Sequence, residues 1–141
     1  MLIASRTLRL RQHPTDIPVP IRIFAPEERD TVRRQISNTL RAVICQRMVP
    51  TIEGKMTPAQ EIMINTPIIR KLVEENRLDK LAAAIETGRD DGMQSFNQAL
   101  YDMVKAGRIT REDALEKATN PQALEMMFQG IFLTTGNRIL G

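Results

Sequence analysis

The stretch EIMINTPIIRKLVEEN, residues 61–76, decides how the chain is read. Its first residues form an apolar run rich in isoleucine, Asn65-Thr66-Pro67 interrupts that run, and a helical pattern starts at once. Thr66 is placed to cap a helix whose first residue is Pro67: a threonine hydroxyl accepts from a first-turn amide, and proline has no amide to leave unsatisfied. On the helical wheel Ile68, Ile69, Leu72 and Val73 are predicted to cover one side and Arg70, Lys71, Glu74 and Glu75 the other. The four-residue spacing predicts the pairs Arg70–Glu74 and Lys71–Glu75, about 0.2–0.5 kcal/mol each on a wet face.

Upstream, AVICQRMVP and PAQEIMI are two short β-prone runs separated by TIEGKMT, where Gly54 suits a turn, so a β-hairpin is predicted. Before it, FAPEERDTVRRQISNTLRAVI places Val32, Ile36, Leu40 and Val43 at three- and four-residue steps. Pro26 suits the first turn, the acids Glu27, Glu28 and Asp30 come early, and Arg33, Arg34 and Arg41 follow on what reads as a solvated face.

Downstream the pattern is helix, turn, helix. Leu78, Leu81, Ala82 and Ile85 mark a short helix ended at Thr87-Gly88, and RDDG, with Gly88 and Gly92, reads as a turn. In MQSFNQALYDMVKAG, Ser95 and Gln98 have capping-box spacing, Phe96, Ala99, Leu100, Met103 and Val104 line one face, and Gly107 supplies the stop. Thr110 and Asp113 open a further helix, and Asn120-Pro121 restarts the chain into Leu124, Met127, Phe128 and Ile131. The final apolar residues Phe132, Leu133, Ile139 and Leu140 find no obvious partner, which predicts fraying or contact with another subunit.

The whole reads as α+β and mostly helical, a small hairpin followed by a helical bundle. Its 141 residues are the size of one domain. Residues 1–22, with Pro14, Pro18 and Pro20, form an irregular basic arm, and residues 23–141 form the domain. No apolar run approaches the roughly 18 residues that span a bilayer, so membrane insertion is not expected. The N-terminus lacks a continuous apolar core before a cleavage site, so no export signal is read.

Charge is uneven: residues 1–50 carry nine arginines against four acids, and residues 51–141 carry eleven bases against thirteen acids. A basic end can attract phosphate, but one Tyr, four Phe and no Trp offer little for stacking on bases, so nucleic-acid binding is the weaker reading. The lone cysteine, Cys45, excludes an internal disulfide and reads as a buried thiol. His13 stands alone, so neither residue builds a zinc site or a catalytic dyad. Adjacent acids at Glu27-Glu28, Glu74-Glu75 and Asp90-Asp91 point apart on a helix and do not converge as an acid and a base. Met63, Met93, Met103 and Met127 fall on apolar positions and read as core filling. No G-x-x-x-x-G-K-[ST] loop occurs, since Gly54-Lys55 is followed by Met56. No catalytic, cofactor-binding or metal-binding residue is therefore assigned.

The segments FAPEERDTVRRQISNTLRAVICQRMVP, QEIMINTPIIRKLVEEN and AIETGRDDGMQSFNQALYDMVKAGRITREDALEKATNP, in this order and at this spacing, resemble the C-terminal part of the PilT-type ATPases that retract type IV pili. The resemblance runs from about residue 23 to 125. It implies a RecA-like secretion-ATPase domain from a homo-hexameric ring, ATP and magnesium in the full-length family, and a cytoplasmic place peripheral to the inner membrane. It also implies work on pilin through an inner-membrane platform protein. The nucleotide motifs of that family lie upstream of the matching region, so no cofactor is expected for this fragment alone. Residues 1–22 do not continue the family pattern, and His13 is not the family's motif histidine, so a truncated or frameshifted remnant is expected. An alternative is a stand-alone interaction module that joins or modulates an intact motor hexamer.

The family's retraction signature reads approximately Ala-Ile-Arg-Asn-Leu-Ile-Arg-Glu. Ile69, Arg70, Leu72 and Glu75 match it, Val73 is a mild change, and Ile68, Lys71 and Glu74 depart from it, Glu74 with reversed charge.

Overall fold

A computed structural model describes residues 24–131. The expectations for residues 1–23 and for the apolar residues after Ile131 lie outside the described residues. Six α-helices and one two-stranded antiparallel sheet make up the described part. After a short 3-10 turn at Pro26–Glu28 come α1 (Arg29–Thr39), β1 (Ala42–Pro50), β2 (Met56–Ile64) and α2 (Pro67–Glu74). Then follow α3 (Leu81–Thr87), α4 (Phe96–Lys105), α5 (Arg111–Lys117) and α6 (Pro121–Phe128).

The hairpin aligns Ala42 with Ile64 and Pro50 with Met56, and Gly54 takes the left-handed φ of 77° that its turn requires. Alternation along the strands turns Val43, Cys45 and Val49 of β1 and Ala59 and Met63 of β2 inward, into one core with Ile69, Val73, Leu81, Ile85, Phe96 and Leu100. α4 packs on β2 and α5 on β1. The opposite face carries the exposed Ile44, Met48 and Met56.

The downstream caps at Ser95 and Thr110 form as their spacing predicts, and Asn120 adds one the sequence reading did not name. Ser95 and Gln98 make both bonds of the capping box, and Thr110 and Asn120 each accept from the amide three residues on. Gly107 ends α4 with a φ of 67°, and the amides of Gly107 and Arg108 return to the carbonyls of Val104 and Met103. Met63, Met93 and Met103 are buried and Met127 packs against the core.

Three placements differ from the sequence reading. Val43 lies in β1 rather than at the end of a helix, because α1 stops at Thr39 and Leu40 is already extended. The three- and four-residue apolar steps of α1 run by coincidence into a residue that a two-residue strand period also buries. Ala82 is exposed, since only Leu81 and Ile85 of α3 turn fully inward. Arg33 is mostly enclosed, its side chain 15% exposed and paired at 2.6 Å with Asp30, rather than lying on an open face. Gly88 stands at the break after α3 and before the turn, as the sequence reading has it, with a φ of −88°. Its lack of a side chain serves space, because a Cβ there would meet Met93 Cε at 2.0 Å.

Candidate functional site

The candidate site is α2 and its mounting. Thr66 caps the helix by accepting from the Ile69 amide, with Pro67 at the first position. At the other end Asn76 adopts the left-handed region, with a φ of 56°. Its amide returns to the Val73 carbonyl and the Arg77 amide to the Leu72 carbonyl, which closes the helix in a Schellman motif. Asparagine is the non-glycine residue that tolerates this conformation, so Asn76 was a readable stop signal in EEN that the sequence reading passed over.

Asn65, immediately before the cap, fastens α2 to α1. Its side-chain amide donates to the carbonyls of Ser37 at 2.7 Å and Leu40 at 2.8 Å, and its backbone amide donates to Arg41 at 2.9 Å. A helix leaves its last carbonyls without intrahelical partners, so Asn65 acts as a C-terminal cap supplied from a distant part of the chain. Ser37 is fully buried where α1 meets α2, and its hydroxyl lies 2.9 Å from Glu74 Oε1 and 2.8 Å from the Arg34 carbonyl. With one hydrogen to donate, it serves one of these acceptors at a time.

The four signature residues divide between two sides. Ile69 is fully buried and Leu72 is half-buried against the core, whereas Arg70 and Glu75 face solvent. Arg70 has no ion pair or side-chain hydrogen bond among the described residues. Glu75 pairs with Lys71 at 3.9 Å, as the spacing predicts, and with Arg77 at 3.6 Å. The predicted Arg70–Glu74 pair does not form, because Glu74 turns to Ser37. Ile68 is 67% exposed, contrary to its expected place on the apolar side. Consecutive helical residues are about 100° apart, and the neighbours of α2 cover only the arc that holds Ile69, Leu72 and Val73.

Glu61 is a further buried charged residue, 4% exposed on the inner face of β2 and opposite Cys45. Its Oε2 accepts from the Phe96 amide at 3.3 Å, at the start of α4, where a carboxylate complements the helix dipole. The Arg47 guanidinium lies 4.1 Å from the centre of the Phe96 ring and donates to the Lys117 carbonyl and the Thr119 hydroxyl. These two inward charges join the hairpin to α4 and the end of α5. An acid at an inward position of the Thr57, Ala59, Glu61, Met63 alternation was the signal that could have found Glu61.

Among the described residues no group of His, Cys, Asp and Glu is placed to hold a metal ion, and no helix is long and apolar enough to cross a membrane.

No family model matches the chain. Among curated proteins, the type IV pilus retraction ATPase PilT of Pseudomonas aeruginosa is 41% identical over 100 residues, which are 71% of this chain and 29% of that protein. A twitching motility protein of Neisseria gonorrhoeae is 33% identical over 103 residues, 72% of this chain and 28% of its own length. In three dimensions the chain matches a crystal structure of the pilus retraction motor PilT with bound ADP, with a TM-score of 0.66 and 36% identity over 76% of this chain and 29% of that one. The Legionella pneumophila ATPase DotB shares the fold, with a TM-score of 0.58 at 17% identity over 84% of this chain and 30% of that one. The chain thus spans less than a third of the length of the proteins it matches. Sequence and fold together identify it as a PilT-like segment, homologous to about 29% of the length of a pilus retraction ATPase.

Proposed function

We propose that this chain is the part of a hexameric, cytoplasmic pilus retraction motor that presents the signature helix, and that it does not hydrolyse ATP by itself. The observation that carries the reading is the mounting of α2. The helix is capped at both ends, tied to α1 through Asn65 and Ser37, and seated by Ile69 and Val73, while Arg70 projects into solvent with no partner of its own among the described residues. A helix fixed this firmly sets the direction in which the Arg70 side chain leaves the backbone, and its unpartnered guanidinium is available for contact with another subunit or with a membrane-bound platform. Arg70 and Glu75 are the outward signature residues we assign to that contact; Ile69 and Leu72 set its geometry.

The sequence has no loop that would cradle phosphates, so ATP and magnesium belong in this proposal to segments outside it, and no chemical step is assigned to its side chains.

The continuous core of the described residues favours a second reading, in which the chain works as a separate module that joins or modulates an intact hexamer. Native mass spectrometry of the purified chain mixed with a full-length PilT-like ATPase tests the ring assignment. Incorporation of the chain into ATPase assemblies, weakened by Arg70→Ala, is expected; two populations that never mix would overturn it.

A further inference from the structure

Glu74 stands between two partners. Side chains of a helix lean toward its N-terminus, so the Glu74 carboxylate reaches back over the turn that carries Arg70, four residues earlier. Of the cations near it along the chain, Lys71 and Arg77 share Glu75, at 3.9 Å and 3.6 Å. Arg70 is thus the cation that would take Glu74, yet the carboxylate turns across to α1 and lies 2.9 Å from the Ser37 hydroxyl.

Ser37 is held where it meets Glu74. It is fully buried, and its backbone carbonyl accepts from the Asn65 side-chain amide at 2.7 Å. The hydroxyl also lies 2.8 Å from the Arg34 carbonyl. That carbonyl sits inside α1, where the amide four residues on serves it, whereas Glu74 offers a charged acceptor, which makes the stronger bond. Two oxygens 2.9 Å apart also need a proton between them, and an ionised carboxylate has none to give. The hydroxyl proton therefore goes to Glu74. The acid for which Ser37 and Arg70 compete is this chain's own departure from the signature, with its charge reversed.

We propose that Ser37 is a positioning residue for Arg70: by holding Glu74, it keeps the guanidinium open to an acidic group on a partner. The contact between α1 and α2 then has two arrangements. With the helices docked, Glu74 lies on Ser37 and Arg70 is open. With α1 displaced, Glu74 loses its donor, falls on Arg70 and neutralises it. Partner contact at Arg70 is thereby strongest when α1 is seated. This rests on the assignment of Arg70 to a contact surface, whereas the behaviour of Arg70 in the chain alone is independent of that assignment.

NMR relaxation of the Arg70 Nε–H group, in the purified chain without a partner, reads the two arrangements. The side chain is expected to be mobile in the unmodified chain, more ordered in Ser37→Ala, and mobile again when Ser37→Ala is combined with Glu74→Gln. Equal mobility in all three overturns the proposal. Association with a full-length PilT-like ATPase is expected to weaken about twofold in Ser37→Ala, the scale of one intrahelical pair, and to be unchanged by the same substitution when Arg70 is already alanine. An equal loss in the Arg70→Ala background assigns Ser37 to packing alone and overturns the proposal. Ser37→Cys, close in volume and a weak donor, takes the place of Ser37→Ala if the latter does not fold. Arg70→Ala that leaves association intact overturns the contact assignment, and the two failures are told apart because the relaxation is read without a partner.

Discussion

Ser37 Oγ lies 2.9 Å from Glu74 Oε1, across the contact between α1 and the last turn of α2. The sequence separates them by 37 residues, and the bond draws Glu74 away from the Arg70 that its spacing had selected. One buried hydroxyl thus leaves Arg70 free of the intrahelical pair that would otherwise hold it. Replacing Ser37 with alanine removes that hydroxyl but leaves Glu74 open to water. The expected loss is about 0.5–1.5 kcal/mol, read from urea denaturation. Ser37→Leu must displace one of the two helices and should cost more than Ser37→Ala.

Asn65 should be less replaceable than its polar character suggests. Asn65→Ala leaves the Ser37 and Leu40 carbonyls without their donor, and a cost of about 1–3 kcal/mol is expected. Asn65→Asp keeps the shape but aims a carboxylate at two carbonyls. At neutral pH it should be at least as destabilising as alanine, and urea midpoints of the two variants make the comparison.

Adjacent residues of α2 should behave in opposite ways. Ile69→Ala opens a cavity at a fully buried site and should cost about 2–5 kcal/mol. Arg70→Ala touches no partner among the described residues and should change stability by less than about 0.5 kcal/mol. Thermal unfolding distinguishes them. If Arg70→Ala weakens association with the ATPase while leaving the unfolding curve unchanged, the outward half of the signature is a contact and the inward half is packing.

Glu86 gives a pH dependence. Partial burial raises its pKa above the ordinary 4.5 by desolvating the charged form. The folded state therefore holds this proton more tightly than the unfolded state. Its contribution to stability is fully present below 4.5 and is lost as pH rises through the raised folded value. Glu86→Gln, which cannot ionise, should be more stable than the parent at neutral pH and should lose that advantage as pH falls below the ordinary value. Paired urea titrations at the two pH values check the sign.

The hairpin, the caps at Thr66, Ser95 and Thr110, and the stop at Gly107 were legible because each rests on residues within a few positions of one another. The same local reading misplaced Ile68 and Val43. Periodicity gives the angle between side chains but not the width of the surface that covers them, and a helical step and a strand alternation can agree on a single residue. Asn65, Ser37 and Glu61 act across 25 to 37 residues, so their partners could be known only once the helices and the hairpin had docked. Of the signature residues, the sequence named the set, and the fold alone divided Ile69 and Leu72 from Arg70 and Glu75.

The most direct measurement is steady-state ATP hydrolysis by the purified 141-residue chain with magnesium. A motor segment whose phosphate-binding parts lie outside it should show no turnover above buffer, and none that chelating the magnesium abolishes. Magnesium-dependent turnover that follows the chain through purification would contradict the account.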